Sequence, residues 1–254
     1  MNPLIDIIST IEINPTELCN LKCSFCPRST FYPNQNLNMS FEIAEKIKQH
    51  IDDLNYTGKV SITGRGEPTL HPKFKEYSNI FIKNKKYKLK INTNGARLDK
   101  HLDTLLQYDI VNFNFYKDDW EGFEQTRDKY GKYGFNFYFK PPMNWYDNPI
   151  HRFTNRAGSF DPDKVYEGKC DRVFEKLFID WNGDYKLCCE DWKDHITLGN
   201  IEDETIFNYV TKNPTLAKYR RMLAEGRRDL SPCSKCSYKF ECSKSNMHKY
   251  SNLV

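Results

Sequence analysis

The chain has 254 residues, a formal net charge of +4, 39% hydrophobic and 28% charged residues, which suits a globular protein with a sizeable core and excludes wholesale disorder. No run of about 18 apolar residues occurs, and MNPLIDIIST lacks the basic flank and long apolar stretch of a signal peptide, so a cytoplasmic protein without a membrane segment is expected. Lys and Arg are scattered, with a local cluster at Lys83, Lys85, Lys86, Lys88 and Lys90, and this reads as a solvated rim rather than the contiguous basic face that a nucleic-acid partner would need.

In chain order, Ile7 to Asn14 alternates apolar and polar positions and stops at Pro15, as a first strand does. Cys19, Cys23 and Cys26 follow in the next loop. Ser40 can cap a helix that carries Ile43, Ile47, Ile51 and Leu54 at spacings of three and four, and Val60 to Thr63 reads as the next strand. The alternation continues with helices near Phe74 to Lys83, Leu98 to Leu106 and Gly122 to Lys129, and strands at Leu89 to Thr93, Ile110 to Tyr116 and Phe135 to Lys140. Strands alternating with helices imply βαβ units and a parallel sheet, although periodicity does not say whether it closes. The pattern breaks at Pro141-Pro142, and residues 144–169, rich in Pro, Asn, Asp and Gly, read as a linker between a domain at 1–143 and a smaller one at 170–254. In the latter, Leu177 to Asp180 and Asp184 to Leu187 flank the turn dipeptide Asn182-Gly183, and short helices are expected at Thr205 to Val210 and Leu216 to Ala224.

Nine cysteines in a reducing cytosol point to metal or redox chemistry rather than disulfides. Three of them in Cys19-x3-Cys23-x2-Cys26 can hold one iron–sulfur cluster and leave an iron open for a ligand, since clusters that only carry electrons take four. Zinc is the plain alternative. Further on, Gly64-Arg65-Gly66-Glu67-Pro68 ends the second predicted strand and Asn92-Thr93-Asn94-Gly95 the third, at the sheet edge where α/β folds place ligands. Near the C-terminus, Cys170, Cys188, Cys233, Cys236 and Cys242 form a spaced set, with Cys189 beside Cys188, and four thiolates could hold zinc or iron–sulfur equally well.

The three-cysteine loop, with Phe25 before and Pro27 after its last cysteine, resembles the signature of the radical S-adenosylmethionine (SAM) superfamily. The Gly64 to Pro68 segment resembles the family's Gly-Gly-Glu-Pro motif, from which only Arg65 departs. The resemblance covers roughly residues 7–140 and implies a partial (βα)6 barrel, a [4Fe–4S] cluster on Cys19, Cys23 and Cys26, and SAM chelated to its open iron. Gly64, Gly66, Glu67 and Pro68 would then meet the SAM amino group, and Thr93 and Asn94 the ribose. Arg127, Lys140 and Arg156 are candidates for the SAM carboxylate or a substrate anion. The later cysteines resemble the twitch domain, a shortened SPASM extension with a β-hairpin and short helices, which implies an auxiliary [4Fe–4S] cluster on Cys170, Cys188, Cys233 and Cys236.

Barrel length, four auxiliary cysteines, Asn155-Arg156-Ala157-Gly158 and the segment Cys188 to Ile201 are similar to those of short radical SAM–twitch enzymes that oxidise an alcohol of an aminocyclitol. That resemblance implies hydrogen abstraction from a small polar substrate, with the auxiliary cluster taking the remaining electron and a flavodoxin- or ferredoxin-type donor supplying the first. Epimerisation, with Cys189 or Cys242 as hydrogen donor, is the alternative on the same scaffold. If Cys188 points at the cluster, Cys189 should point away from it and into packing, because neighbours on a strand face opposite ways. Peptide modification is a third reading, disfavoured because the first strand begins within about ten residues of Met1 and leaves no leader-binding domain; a non-catalytic cluster or zinc module ranks last. Trp145, Tyr146, His151 and Arg152 could line a polar pocket or pack between domains.

Overall fold

The computed structural model describes residues 3–6, 8–140, 154–160 and 165–239. Cys242, Trp145, Tyr146, His151 and Arg152 lie outside these residues. After a single helical turn, α1 (Pro3–Asp6), strands β1 (Thr10–Ile13), β2 (Lys59–Ile62), β3 (Lys88–Thr93), β4 (Ile110–Phe115) and β5 (Asn136–Phe139) alternate with helices α2 (Phe41–Asp53), α3 (Phe74–Ile82), α4 (Leu98–Leu105) and α5 (Trp120–Tyr130). The C-terminal part adds α6 (Arg172–Glu175), β6 (Lys176–Ile179), β7 (Asp184–Lys186), β8 (Thr197–Asn200), α7 (Ile206–Lys212) and α8 (Pro214–Ala224).

Local chemistry explains the boundaries. The Ser40 hydroxyl accepts from the Ile43 amide at 3.3 Å and caps α2, whose Ala44, Ile47 and Ile51 are fully buried. Asp119 caps α5, Thr205 caps α7, and Asn213 caps α8 ahead of Pro214.

The strands form one sheet in the order β5-β4-β3-β2-β1-β6-β7-β8. β5 through β1 are parallel, and β6 pairs with β1 in parallel on its other side, with Thr10 opposite Lys176 and Ile13 opposite Ile179. Six parallel strands therefore build the partial barrel, which stays open because β5 and β8 are edges. The segment expected as the first arm of a separate hairpin is the sixth parallel strand. Its buried Leu177, Phe178 and Ile179 suit an interior position. The hairpin at Asn182-Gly183 forms as expected, and Thr197–Asn200 adds a further strand antiparallel to β7.

Period-two alternation divides the parallel sheet. Ile11, Ile13, Val60, Ile62, Leu89, Ile91, Val111 and Phe113 join the core with Ile47, Ile51, Phe74 and Phe81 of the helices. The intervening residues make the concave face polar. Across it the Asn136 amide donates to Asn112 at 3.0 Å, Asn112 to Asn92 at 3.0 Å, and Asn92 to the Thr63 hydroxyl at 3.2 Å. This amide ladder follows the register Asn92–Asn112–Asn136 and ends where the motif loops begin.

Candidate active site

The cysteine loop leaves β1 and is shaped by its own turn: the Cys26 amide donates to the Cys23 carbonyl at 2.9 Å, and Cys26 starts a short 3-10 turn at Pro27–Ser29. The Asn34 side chain receives the Cys19 amide at 2.8 Å. Burial pushes all three thiols up, and for Cys23 the repulsion of Cys26 and Cys19 adds to carry it to about 12. Behind the loop, Arg28 and Glu17 form a buried ion pair at 2.9 Å. The Asn14 amide donates to Glu17 and to Asp180 at 2.7 Å each, so the loop is braced to the end of β6.

Gly64 and Gly66 bring the turn after β2 against that loop. A Cβ at Gly66 would stand 2.1 Å from the Thr16 carbonyl oxygen, and one at Gly64, whose φ is +154°, would stand 2.3 Å from Asn14. Glu67 is 3% exposed and its oxygens are taken by the chain itself. One accepts from the Thr69 amide and hydroxyl at 3.1 and 2.6 Å and from the Thr93 hydroxyl at 2.6 Å; the other accepts from the Asn94 amide at 2.6 Å. Burial pushes this carboxyl up, against the pull of those donors. Glu67 thereby joins the Gly64–Pro68 turn to the Thr93-Asn94-Gly95 turn.

A cavity of about 730 Å³ opens beside these turns, bordered by Asn20, Asn94, Ala96, Tyr116, Lys117 and Gln125. Asn94 thus faces this cavity, whereas the Thr93 hydroxyl is turned to Glu67. Arg127 borders neither this cavity nor the smaller one below; it sits half-exposed on α5, paired with Glu124 and Asp128 at 3.3 Å. Lys140 ends β5 over the rings of Tyr116 and Tyr138, at 6.0 and 5.4 Å, with burial and then Lys90 holding its ammonium down.

In the C-terminal part, Cys170, Cys188, Cys233 and Cys236 line one pocket together with Arg172 and Arg228. Burial raises Cys170 to about 11 and Cys233 to about 12, the latter helped by the neighbouring thiols. Asn155 explains the Asn-Arg-x-Gly stretch. Its backbone and side chain exchange hydrogen bonds with Ser237 at 2.6 and 2.9 Å, and its amide donates to the Lys235 carbonyl at 2.9 Å, which anchors Arg156 beside the cysteine pocket. The Arg156 guanidinium pairs with Glu190 at 3.3 Å; Glu190 also pairs with Arg172 at 3.0 Å.

A second cavity, of about 220 Å³, lies between the two halves, bordered by Glu12, Asn14, Arg65, Arg156, Asp180 and Trp192. Cys188 and Cys189 both reach it. The expectation that Cys189 turns into packing is therefore corrected: its sulfur borders the cavity and accepts from the Arg172 guanidinium at 2.7 Å. The turn that follows β7, rather than strand alternation, sets its direction.

Thiols raised by burial and mutual repulsion suit cationic iron, which draws off their protons on binding. Among the described residues no group of three or more His, Cys, Asp or Glu is gathered to hold a metal ion.

The radical SAM superfamily model matches residues 13–161, more than half of the chain. The chain belongs to the radical SAM superfamily. An iron-sulfur cluster-binding domain of the SPASM type matches residues 170–237, so the C-terminal cysteines belong to a second cluster-binding family. Among curated proteins, the SAM-dependent 2-deoxy-scyllo-inosamine dehydrogenase of Niallia circulans is 24% identical over 244 residues, 91% of this chain and 93% of that one. The GTP 3′,8-cyclase of Synechocystis is 30% identical over 113 residues, but the match spans only 32% of the cyclase's length. The solved structure of BtrN in complex with AdoMet and 2-DOIA shares the fold, with a TM-score of 0.76, 22% identity and coverage of 91% and 93%. The chain is thus a radical SAM enzyme in which SAM and [4Fe–4S] chemistry is a family property, and no helix among the described residues is long and apolar enough to cross a membrane.

Sequence reasoning missed Asn14, Glu17, Arg28, Asp180, Glu190 and Trp192; Asn14, Glu17 and Arg28 meet one another locally, and the other contacts join segments remote in sequence. Arg65 alone left a signal, as the departure from the family motif.

Proposed function

We propose that the chain oxidises an alcohol carbon of a small polar substrate, of the sugar or aminocyclitol kind, within the 220 Å³ cavity. One observation carries this reading: Cys188 borders both that cavity and the four-thiol pocket, so an electron leaving a substrate there has the shortest possible path to an auxiliary cluster. The cavity is smaller than the roughly 300–1,000 Å³ typical of sites for drug-sized ligands, which favours a small molecule over a peptide.

When bound, the cluster of Cys19, Cys23 and Cys26 and its SAM supply the adenosyl radical that takes one hydrogen atom. The chain supplies the rest. Asn20, Asn94 and Gln125 offer polar contacts in the larger cavity, and Glu12 and Asp180 offer acceptors for hydroxyl or ammonium groups in the smaller one. Arg156, fixed by Glu190, presents a guanidinium to a substrate oxygen. Loss of one hydrogen atom, one electron and the hydroxyl proton would leave a ketone; Cys170, Cys188, Cys233 and Cys236 would hold the cluster that supplies an electron acceptor, and Glu12 or Asp180 would take the proton. A flavodoxin- or ferredoxin-type donor would reduce the first cluster.

Cys189 supports epimerisation as the second reading, because a sulfur beside the cavity could return hydrogen to the opposite face. Against it, the sulfur already accepts from Arg172. The test is anaerobic incubation in deuterated water with SAM, a low-potential reductant and 2-deoxy-scyllo-inosamine, read by mass. A product lighter by two hydrogens is expected; an inverted carbon carrying deuterium, abolished by Cys189→Ser, would replace oxidation by epimerisation.

A further inference from the structure

The tripeptide Gly64-Arg65-Gly66 carries one side chain, and its two glycines press the turn against Asn14 and Thr16. The Arg65 side chain leaves on the other side and reaches the segment after Cys188, in the cluster-binding half of the chain. Its guanidinium grips the Asp194 carboxylate through both oxygens, at 2.9 and 2.6 Å, and donates to the Asp191 carbonyl at 2.8 Å and the Tyr32 hydroxyl at 2.8 Å. Asp180 stands at 3.6 Å. The rings of Tyr32 and Trp192 lie 5.2 and 5.6 Å from the guanidinium and meet each other edge to face at 5.1 Å. Asp194 holds a left-handed backbone, φ 50°, with Lys186 at 3.2 Å as its second cation.

We infer that Arg65 is a positioning residue, a strut that fixes segment 188–194 against the SAM-binding turn and forms the wall of the small cavity between them. The inference rests on reading that cavity as the substrate site. A planar, bidentate and stacked cation has one geometry for all of these partners, which a lysine would not reproduce. The side chain is 11% exposed, so removing it takes the bidentate donor from Asp194, which keeps Lys186, and the donor from the Asp191 carbonyl, and opens the cavity to water. Abortive turnover then follows: SAM is cleaved, but the adenosyl carbon takes hydrogen from buffer or protein instead of substrate.

The test uses the full chain, without metal and after anaerobic reconstitution, as wild type and as Arg65→Ala, Arg65→Lys, Asp194→Asn and the Ala/Asn double variant. Hydrogen exchange of amides 188–196 is expected to accelerate about ten-fold in Arg65→Ala and in Asp194→Asn, without further gain in the double variant, and less in Arg65→Lys. SAM affinity should stay within about three-fold of wild type, while 5′-deoxyadenosine formed per ketone, with 2-deoxy-scyllo-inosamine as the probe, should rise. Unchanged exchange in both single variants overturns the strut. So does a loss of SAM binding in Arg65→Ala that Asp194→Asn does not share, which would place Arg65 in the SAM site. If wild type makes no ketone from the probe, the substrate reading falls and exchange alone decides the role of Arg65.

Discussion

At the residue scale, the parts legible in sequence are those whose chemistry demands short spacing: Cys19, Cys23 and Cys26 in one loop, or Cys233 and Cys236 in one turn. What a side chain meets across the fold was not legible. Glu67 matches the family motif, yet it is enclosed by four donors from Thr69, Thr93 and Asn94 and serves as a brace. Glu67→Gln puts an amide donor where donors already converge, so it should cost about 1–3 kcal/mol in urea unfolding and weaken SAM binding through displaced Asn94. Arg65 gave the reverse case: a break in the motif, explained only by Asp194, 129 residues away. Partial burial pushes the Asp194 carboxyl up, but the hydrogen bond and charge of Arg65, with Lys186, outweigh it and hold it below the usual range. A depressed folded value gives stability that is present above the unfolded value of about 3.9 and is lost as pH falls through the lower one. The urea midpoint of wild type should therefore exceed that of Asp194→Asn near neutrality, and the gap should close below about pH 3–4.

At the element scale, the alternation of strand and helix in the first 140 residues was readable because each carries its own period. The pairing partner of a strand has no such local mark. Lys176–Ile179 shows this: its pattern fits a hairpin arm, and the same residues pair with β1 on one side and β7 on the other. The amide ladder has a similar origin. Asn92, Asn112 and Asn136 read separately as polar positions of half-buried strands, and become a row only once the register aligns them. Asn112 is the middle member, bonded on both sides. Asn112→Leu should leave the Asn92 side-chain carbonyl without its donor and the Asn136 amide without its acceptor, lowering stability by about 1–3 kcal/mol in denaturant unfolding, whereas Asn136→Leu at the exposed end should cost less.

At the scale of the whole molecule, β1 is central, with β2 on one side and β6 on the other. A chain cut before residue 170 would expose the β1 edge beside the fully buried Ile11 and Ile13. Such a fragment is expected to aggregate rather than stay monomeric by size-exclusion chromatography, although the cysteine loop and the turns after β2 and β3 are intact in it. The same pairing governs how the two metal-bearing segments are spaced. One hangs from the end of β1, the other from the hairpin that begins with β6, and these strands lie side by side in fixed register. The strand that precedes the first cysteine loop and the hairpin that precedes Cys188 are therefore locked in one register. A slip of one residue in β6 would turn Lys176 and Phe178 to the wrong face, and the smallest slip that keeps faces intact is two residues, about 6.6 Å along the strand. The position of Cys188 relative to the first cysteine loop is thus set by a discrete strand register together with the lengths of the loops that leave β1 and β7.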